Sequence, residues 1–172
     1  MHPKRTALLG NGGGGKSTLA RKMSDAWNIP CFPVDQAQFK PGWEREDLGQ
    51  VAKWHAGILK QDRWIIDGWG AWELIDARME LADLIVLVDY PLDEHLALAA
   101  KRSDLSRSGV SPDAPPGCAY HEIDELMVET LRRVDKDFMP ILREKVAARP
   151  SDQEVLVFHS IDELSAWSSE NL

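Results

Sequence analysis

The clearest chemistry in this chain lies in nine consecutive residues, Gly10-Asn11-Gly12-Gly13-Gly14-Gly15-Lys16-Ser17-Thr18. They fit the pattern G-x-x-x-x-G-K-[ST] at every fixed position. Glycines let the backbone curl until successive N–H groups point inward and hold phosphate oxygens. A helix starting near Lys16 adds the partial positive charge of its N-terminus. Lys16 is then placed to reach the β- and γ-phosphates of a purine nucleoside triphosphate, and the Ser17 hydroxyl to bind Mg²⁺. The pattern demands a strand before it and a helix after it. Thr6-Ala7-Leu8-Leu9 reads as the strand, and Ser17 to Met23 reads as the start of the helix.

Three aspartates follow apolar runs. Asp35 stands just past the second run, Asp67 ends Trp64-Ile65-Ile66, and Asp89 ends Leu84-Ile85-Val86-Leu87-Val88. Ligands of open α/β sheets bind at the carboxyl edge, where such residues fall. For Asp35 the competing reading is a turn residue. Asp89-Tyr90-Pro91 also reads as a chain reversal that caps the next helix. Phosphoryl transfer further needs cations around the γ-phosphate. The one dense basic stretch, with Lys101, Arg102 and Arg107, offers them, although cations also favour helix C-termini for ordinary reasons. Seven tryptophans are many for 172 residues. Trp43, Trp69 and Trp72 fall in segments expected to border the acceptor side, as an apolar or stacking wall. Trp27, Trp54, Trp64 and Trp167 read as packing against the sheet. The five histidines show no metal-binding spacing.

Five β-rich runs position these groups: Lys4 to Leu9, Pro30 to Val34, Arg63 to Asp67, Leu84 to Asp89 and Glu154 to Phe158. The fourth is apolar on both faces, as in a central parallel strand covered by helices. Helical patterns run between them: Ser17 to Trp27, Glu44 to Gln61, Trp72 to Arg78, Leu92 to Arg102, Tyr120 to Lys145 and Ile161 to Ser168. Pro140 should kink or split the longest. This alternation predicts a three-layer α/β/α domain over residues 1–172 with a five-stranded parallel sheet. Asp104 to Ala119, with Gly109, Pro112, Pro115, Pro116 and Gly117, lacks apolar periodicity. It reads as a loop, either a surface connector or a short lid over the phosphates.

The net charge is −8. An acidic chain argues against nucleic acid as a general partner, because binding phosphate backbones needs a basic face. Cys31, in an apolar run, is expected to be buried. Neither it nor Cys118 has metal-ligand spacing, so both read as reduced thiols. Met1-His2-Pro3-Lys4-Arg5 leads directly into the first strand, and no apolar run reaches membrane-spanning length. The expectation is a cytoplasmic protein.

Loop, lid and strand pattern together resemble the P-loop kinases of the nucleoside-monophosphate-kinase-like group, whose best-known members are adenylate kinases. Trp64-Ile65-Ile66-Asp67-Gly68 is similar to the apolar–Asp–Gly stretch that ends their third strand, and Leu87-Val88-Asp89-Tyr90-Pro91 to the stretch that ends their fourth. A closer likeness is to the bacterial adenylate-kinase-like "DNA topology modulation" proteins. Their aspartate after the second strand and their aromatic–Lys–Pro–Gly–Trp run match Asp35 and Phe39-Lys40-Pro41-Gly42-Trp43. The resemblance implies that ATP and Mg²⁺ bind Gly10 to Thr18, with Ser17 on the metal and Asp67 on a metal-bound water. It implies that Arg102 and Arg107 close on the γ-phosphate from the lid, and that Asp35 accepts a hydroxyl proton or helps hold the metal. Adenylate kinases carry Phe-Pro-Arg after the third-strand Asp-Gly, whereas this chain carries Trp69-Gly70-Ala71. From Asp35 to Trp54 the only cations are Lys40, Arg45 and Lys53. These departures favour a small hydroxyl-bearing acceptor over a nucleoside monophosphate. The expected activity is ATP-dependent phosphotransfer by Lys16, Asp35, Arg102 and Arg107. The alternatives are a nucleoside monophosphate kinase and a non-enzymatic, nucleotide-dependent regulator.

Overall fold

A computed structural model describes residues 2–111 and 113–172; Pro112, read above as part of the lid, and Met1 lie outside the described residues. Along the chain run β1 (Arg5–Gly10), α1 (Lys16–Trp27), β2 (Cys31–Pro33), α2 (Val34–Gln38), β3 (Phe39–Lys40) and β4 (Glu44–Arg45). There follow α3 (Leu48–Leu59), β5 (Trp64–Asp67), α4 (Ile75–Leu81), β6 (Leu84–Val88) and α5 (Leu92–Arg107). The last elements are α6 (Asp124–Arg133), α7 (Met139–Ala147), β7 (Glu154–Phe158) and α8 (Ile161–Asn171). Five strands form one sheet in the order β2-β5-β1-β6-β7, and every pairing is parallel.

Alternating side chains explain the three layers. Ala7, Leu9, Ile66, Ile85 and Leu87 share one face with Ile58 of α3, Ile75 and Met79 of α4, and Met139 and Leu142 of α7. Leu8, Ile65, Val86 and Val88 share the other with Leu19, Ala20 and Met23 of α1 and Leu164 of α8. Strands buried on both faces read as continuous apolar runs. Because the strands are parallel, their carboxyl ends meet at one edge, which brings Gly10, Asp67 and Pro33 together.

Several sequence-based expectations need correction. The helix expected over 44–61 begins only at Leu48, where Asp47 caps it by accepting from Gln50 N–H (3.0 Å). The residues before it form the antiparallel β3–β4 hairpin, turned by Gly42 (φ 74°) and Trp43 (φ 61°). The helix after β6 runs to Arg107, so the connection to the lid starts later than Asp104. The long helix over 120–145 is broken as Pro140 predicts. A wide π-turn, Val134–Phe138, joins α6 to α7 and places Pro140 in the first turn of α7, where its missing N–H costs nothing. Cys31 is only half-buried, while Cys118, in the segment without apolar periodicity, is buried.

Candidate functional site

The glycine loop connects β1 to α1 and is shaped by contacts from behind. Gly13 has φ 76°, and a Cβ on it would stand 2.9 Å from the His95 carbonyl oxygen, so α5 packs directly against the loop backbone. His95 Nδ1–H donates to Gly12 O (2.8 Å), and Tyr90 OH donates to Gly14 O (3.1 Å). Their rings stack 5.0 Å apart. Asn11 Nδ2–H donates to Leu131 O (2.8 Å), tying the loop to α6. Lys16 Nζ donates to Asn11 O (2.6 Å), which arches the ammonium across the loop.

A cavity of about 320 Å³ opens on this loop. Gly12 to Thr18 form its floor. Asp35, Asp67, Gly68 and Trp69 form one side; Leu98, Lys101, Arg102 and Leu105 of α5 form the other, with Val110, Asp113 and Tyr120. Lys16, Ser17, Asp35, Asp67 and Arg102, singled out from sequence, thus meet in one cavity. Gly10 and Asn11 do not line it: Gly10 ends β1 against Val88, and Asn11 faces α6. Arg107 does not line it either. Its guanidinium pairs with Asp104 and Asp124 on the outer face of α5. Asp89 is held by Arg143 of α7 through contacts of 2.8 to 3.0 Å.

Burial sets the electrostatics. It pushes the Lys16 ammonium below its ordinary range, while Asp67 and Asp35 pull it back. Asp35 is open to water in the cavity, yet enclosing protein still raises its carboxyl, against the pull of Lys16 and Arg102. Asp67 is 4% exposed and is likewise raised, chiefly by burial, against the pull of Lys16 and the Ser17 hydroxyl. Its Oδ1 is buried without a hydrogen-bond partner. A hydroxyl and an under-satisfied carboxylate side by side beneath a phosphate loop fit a hydrated Mg²⁺.

Sequence reading missed two groups. His95 carries no motif, and its role follows from where α5 crosses the loop. Arg78 was read only as the end of a short helix. It is fully buried and donates to Gly68 O (2.8 Å) and Trp69 O (3.2 Å), which holds the turn after Asp67. Of the expected aromatic wall, Trp69 lines the cavity, stacked on Trp72 at 5.6 Å. Trp43 lies on the hairpin against Tyr120. Trp64 and Trp27 are core residues, and Trp54 and Trp167 pack on the two cores. A second cavity of about 510 Å³, bounded by β2, α2 and α3, contains none of this machinery.

Comparison with solved structures bears on the fold. The chain is similar to shikimate kinase from Bacteroides thetaiotaomicron, with TM-score 0.55 and 11% identity over 98% of this chain and 96% of that one. It is also similar to a gluconokinase from Sinorhizobium meliloti, with TM-score 0.50 and 15% identity over 98% and 93%. The likeness is one of fold: a five-stranded parallel sheet flanked by helices, as in those P-loop kinases. No protein-family model and no curated protein sequence matches it. Among the described residues, no helix is long and apolar enough to cross a membrane.

Proposed function

We propose that this chain is a kinase that moves the γ-phosphoryl group of ATP to a hydroxyl of a small, uncharged acceptor. One observation carries the reading: Asp35 shares a cavity with the glycine loop, Lys16 and Arg102, and among the described residues no free cation lines its side beside Asp67, Gly68 and Trp69. The cations lining the cavity are Lys16 in the loop and Lys101 and Arg102 on α5. Arg78, behind the Asp67 turn, is committed to two carbonyl oxygens. A phosphate or carboxylate on the acceptor calls for a guanidinium or ammonium to receive it. The named structural neighbours, a shikimate kinase and a gluconokinase, take their names from hydroxy carboxylates, so they support the hydroxyl of the acceptor, while its lack of charge rests on the lining of the cavity alone.

Bound ATP·Mg²⁺ supplies the phosphoryl group and the metal that neutralises its charge. Loop N–H groups and Lys16 hold the phosphates, and Ser17 and Asp67 hold the metal and its water. Arg102 lies on the α5 side to balance charge at the γ-phosphate. Asp35 takes the acceptor's hydroxyl proton; a carboxyl raised by enclosure is the better base at neutral pH. Leu98, Leu105 and Val110 offer the nucleotide base an apolar surface. The free thiols of Cys31 and Cys118 suit a cytoplasmic setting.

The test is ADP release from ATP·Mg²⁺ across a panel of polyols, amino alcohols and sugars, set against nucleoside monophosphates and sugar acids. Turnover is expected only with members of the first group. Asp35→Asn should lower it by about 10²-fold or more while leaving ADP·Mg²⁺ affinity unchanged. Turnover with a nucleoside monophosphate, or full activity in Asp35→Asn, would overturn the assignment.

A further inference from the structure

Local chemistry does not account for the backbone of Trp43. Its φ of 61° lies in the left-handed region, directly after Gly42 at 74°. A bulky residue persists there only when its surroundings over-determine it. Those surroundings come from one distant segment, Gly117 to Tyr120. Trp43 N–H donates to Cys118 Sγ (3.3 Å), and its indole N–H donates to Ala119 O (3.0 Å). Gly42 N–H donates to Gly117 O (2.9 Å), and the Cys118 thiol donates to Lys40 O (3.2 Å). Phe39 packs edge-on against the Trp43 ring, 5.2 Å away. With two residues per strand, the β3–β4 hairpin is too short to hold its shape alone. The segment after the lid fixes it in place.

Tyr120 carries that placement inward. Its ring lies 5.4 Å from the Trp43 ring, and it is 5% exposed. On Tyr120 rests Arg102, whose guanidinium carbon lies 3.7 Å from the ring centroid. A guanidinium over an aromatic face is held electrostatically as well as by contact. Arg102 Nε is buried without a hydrogen-bond partner, and both Arg102 and Tyr120 line the cavity. The hairpin also continues directly from α2, which carries Asp35 in its first turn.

We propose that Trp43 is a positioning residue: by locking the hairpin to the segment after the lid it holds Tyr120, and through Tyr120 it aims Arg102 at the γ-phosphate. This rests on the role given to Arg102 above. It means that the segment next to the acceptor and the cation for the γ-phosphate come into place together.

The test compares binding of ADP·Mg²⁺ with that of a non-hydrolysable ATP analogue, by calorimetry. Wild type should prefer the analogue by about tenfold, the effect of one charge-assisted contact. Trp43→Ala and Arg102→Ala should each erase that preference and leave ADP affinity within about twofold, which also reports an intact fold. The double variant should lose nothing further. Trp43→Phe, which keeps a ring on Tyr120, should retain most of the preference. In a Cys31→Ser background, Trp43→Ala should also expose Cys118 to a thiol reagent. An undiminished preference in Trp43→Ala, or additive losses in the double variant, would overturn the proposal. Lys16→Ala separates the layers: it should lose both ligands, and wild-type binding of both by that variant would remove the phosphate-site reading beneath.

Discussion

Mild acid should destabilise this protein through two histidines buried beneath its site. His55 of α3 is fully buried against the Gly70 turn, with neither ring nitrogen partnered. His95 is 1% exposed under the glycine loop. Burial pushes both from 6.5 down to about 4, helped by Arg78 at His55 and by Lys16 at His95. An unfolded histidine keeps its ordinary value. Above that value both states are neutral and pH has no effect through these groups. Below it the unfolded chain takes up protons that the folded chain refuses, so stability falls until the pH nears the folded value. From pH 7 to pH 5 the loss works out at about 2 kcal/mol per histidine, or about 4 kcal/mol for the pair. Asp35 and Asp67, raised in the folded state, act in the opposite sense as the pH falls. A variant therefore isolates the histidine contribution. Urea unfolding of wild type and His55→Leu at both pH values should show the variant losing about 2 kcal/mol less on acidification. Equal losses in the two proteins would mean that His55 is not held neutral, and the reasoning would fail.

Gly10→Ala should destabilise by about 2 kcal/mol or more, because Gly10 has φ 128° and a Cβ would stand 2.2 Å from the Val88 carbonyl oxygen. Thermal unfolding reads this directly, and an unchanged midpoint would refute it. Arg78→Met should cost about 2 kcal/mol in urea unfolding, since Gly68 O and Trp69 O lose charged donors in a buried place. It should leave the affinity for ADP·Mg²⁺ near wild type, because Arg78 touches no part of the glycine loop; a large loss of affinity would contradict that.

Short-range chemistry was legible in the residues alone. The glycine loop announces itself because its fixed positions are consecutive and each has a backbone or phosphate reason. The five strands are legible because apolar runs such as Leu84 to Val88 have few alternatives once helices flank them. Asp67 and Asp35 were identifiable because they stand where parallel strands end. The β3–β4 hairpin was not legible, and its second strand fell inside the helix expected from Glu44, since its turn depends on a left-handed Trp43 that local propensity disfavours. Arg102 and Arg107 were both candidates from the one dense basic stretch. Only the direction each takes from α5, one onto Tyr120 and the other onto Asp124, separates them.

The sequence by itself determined the glycine loop between β1 and α1, the five strands of the parallel sheet, and the sheet edge beside which Asp35 and Asp67 stand. Each depends on residues adjacent in the chain or on a period of a few residues. Tertiary structure alone decided which cation faces the cavity, what braces the loop and what buries Cys118. Those depend on meetings such as Asn11 with Leu131, 120 residues apart, and Trp43 with Cys118, 75 apart. No local pattern encodes such a meeting, because its free energy exists only once the sheet has brought both segments to the same edge.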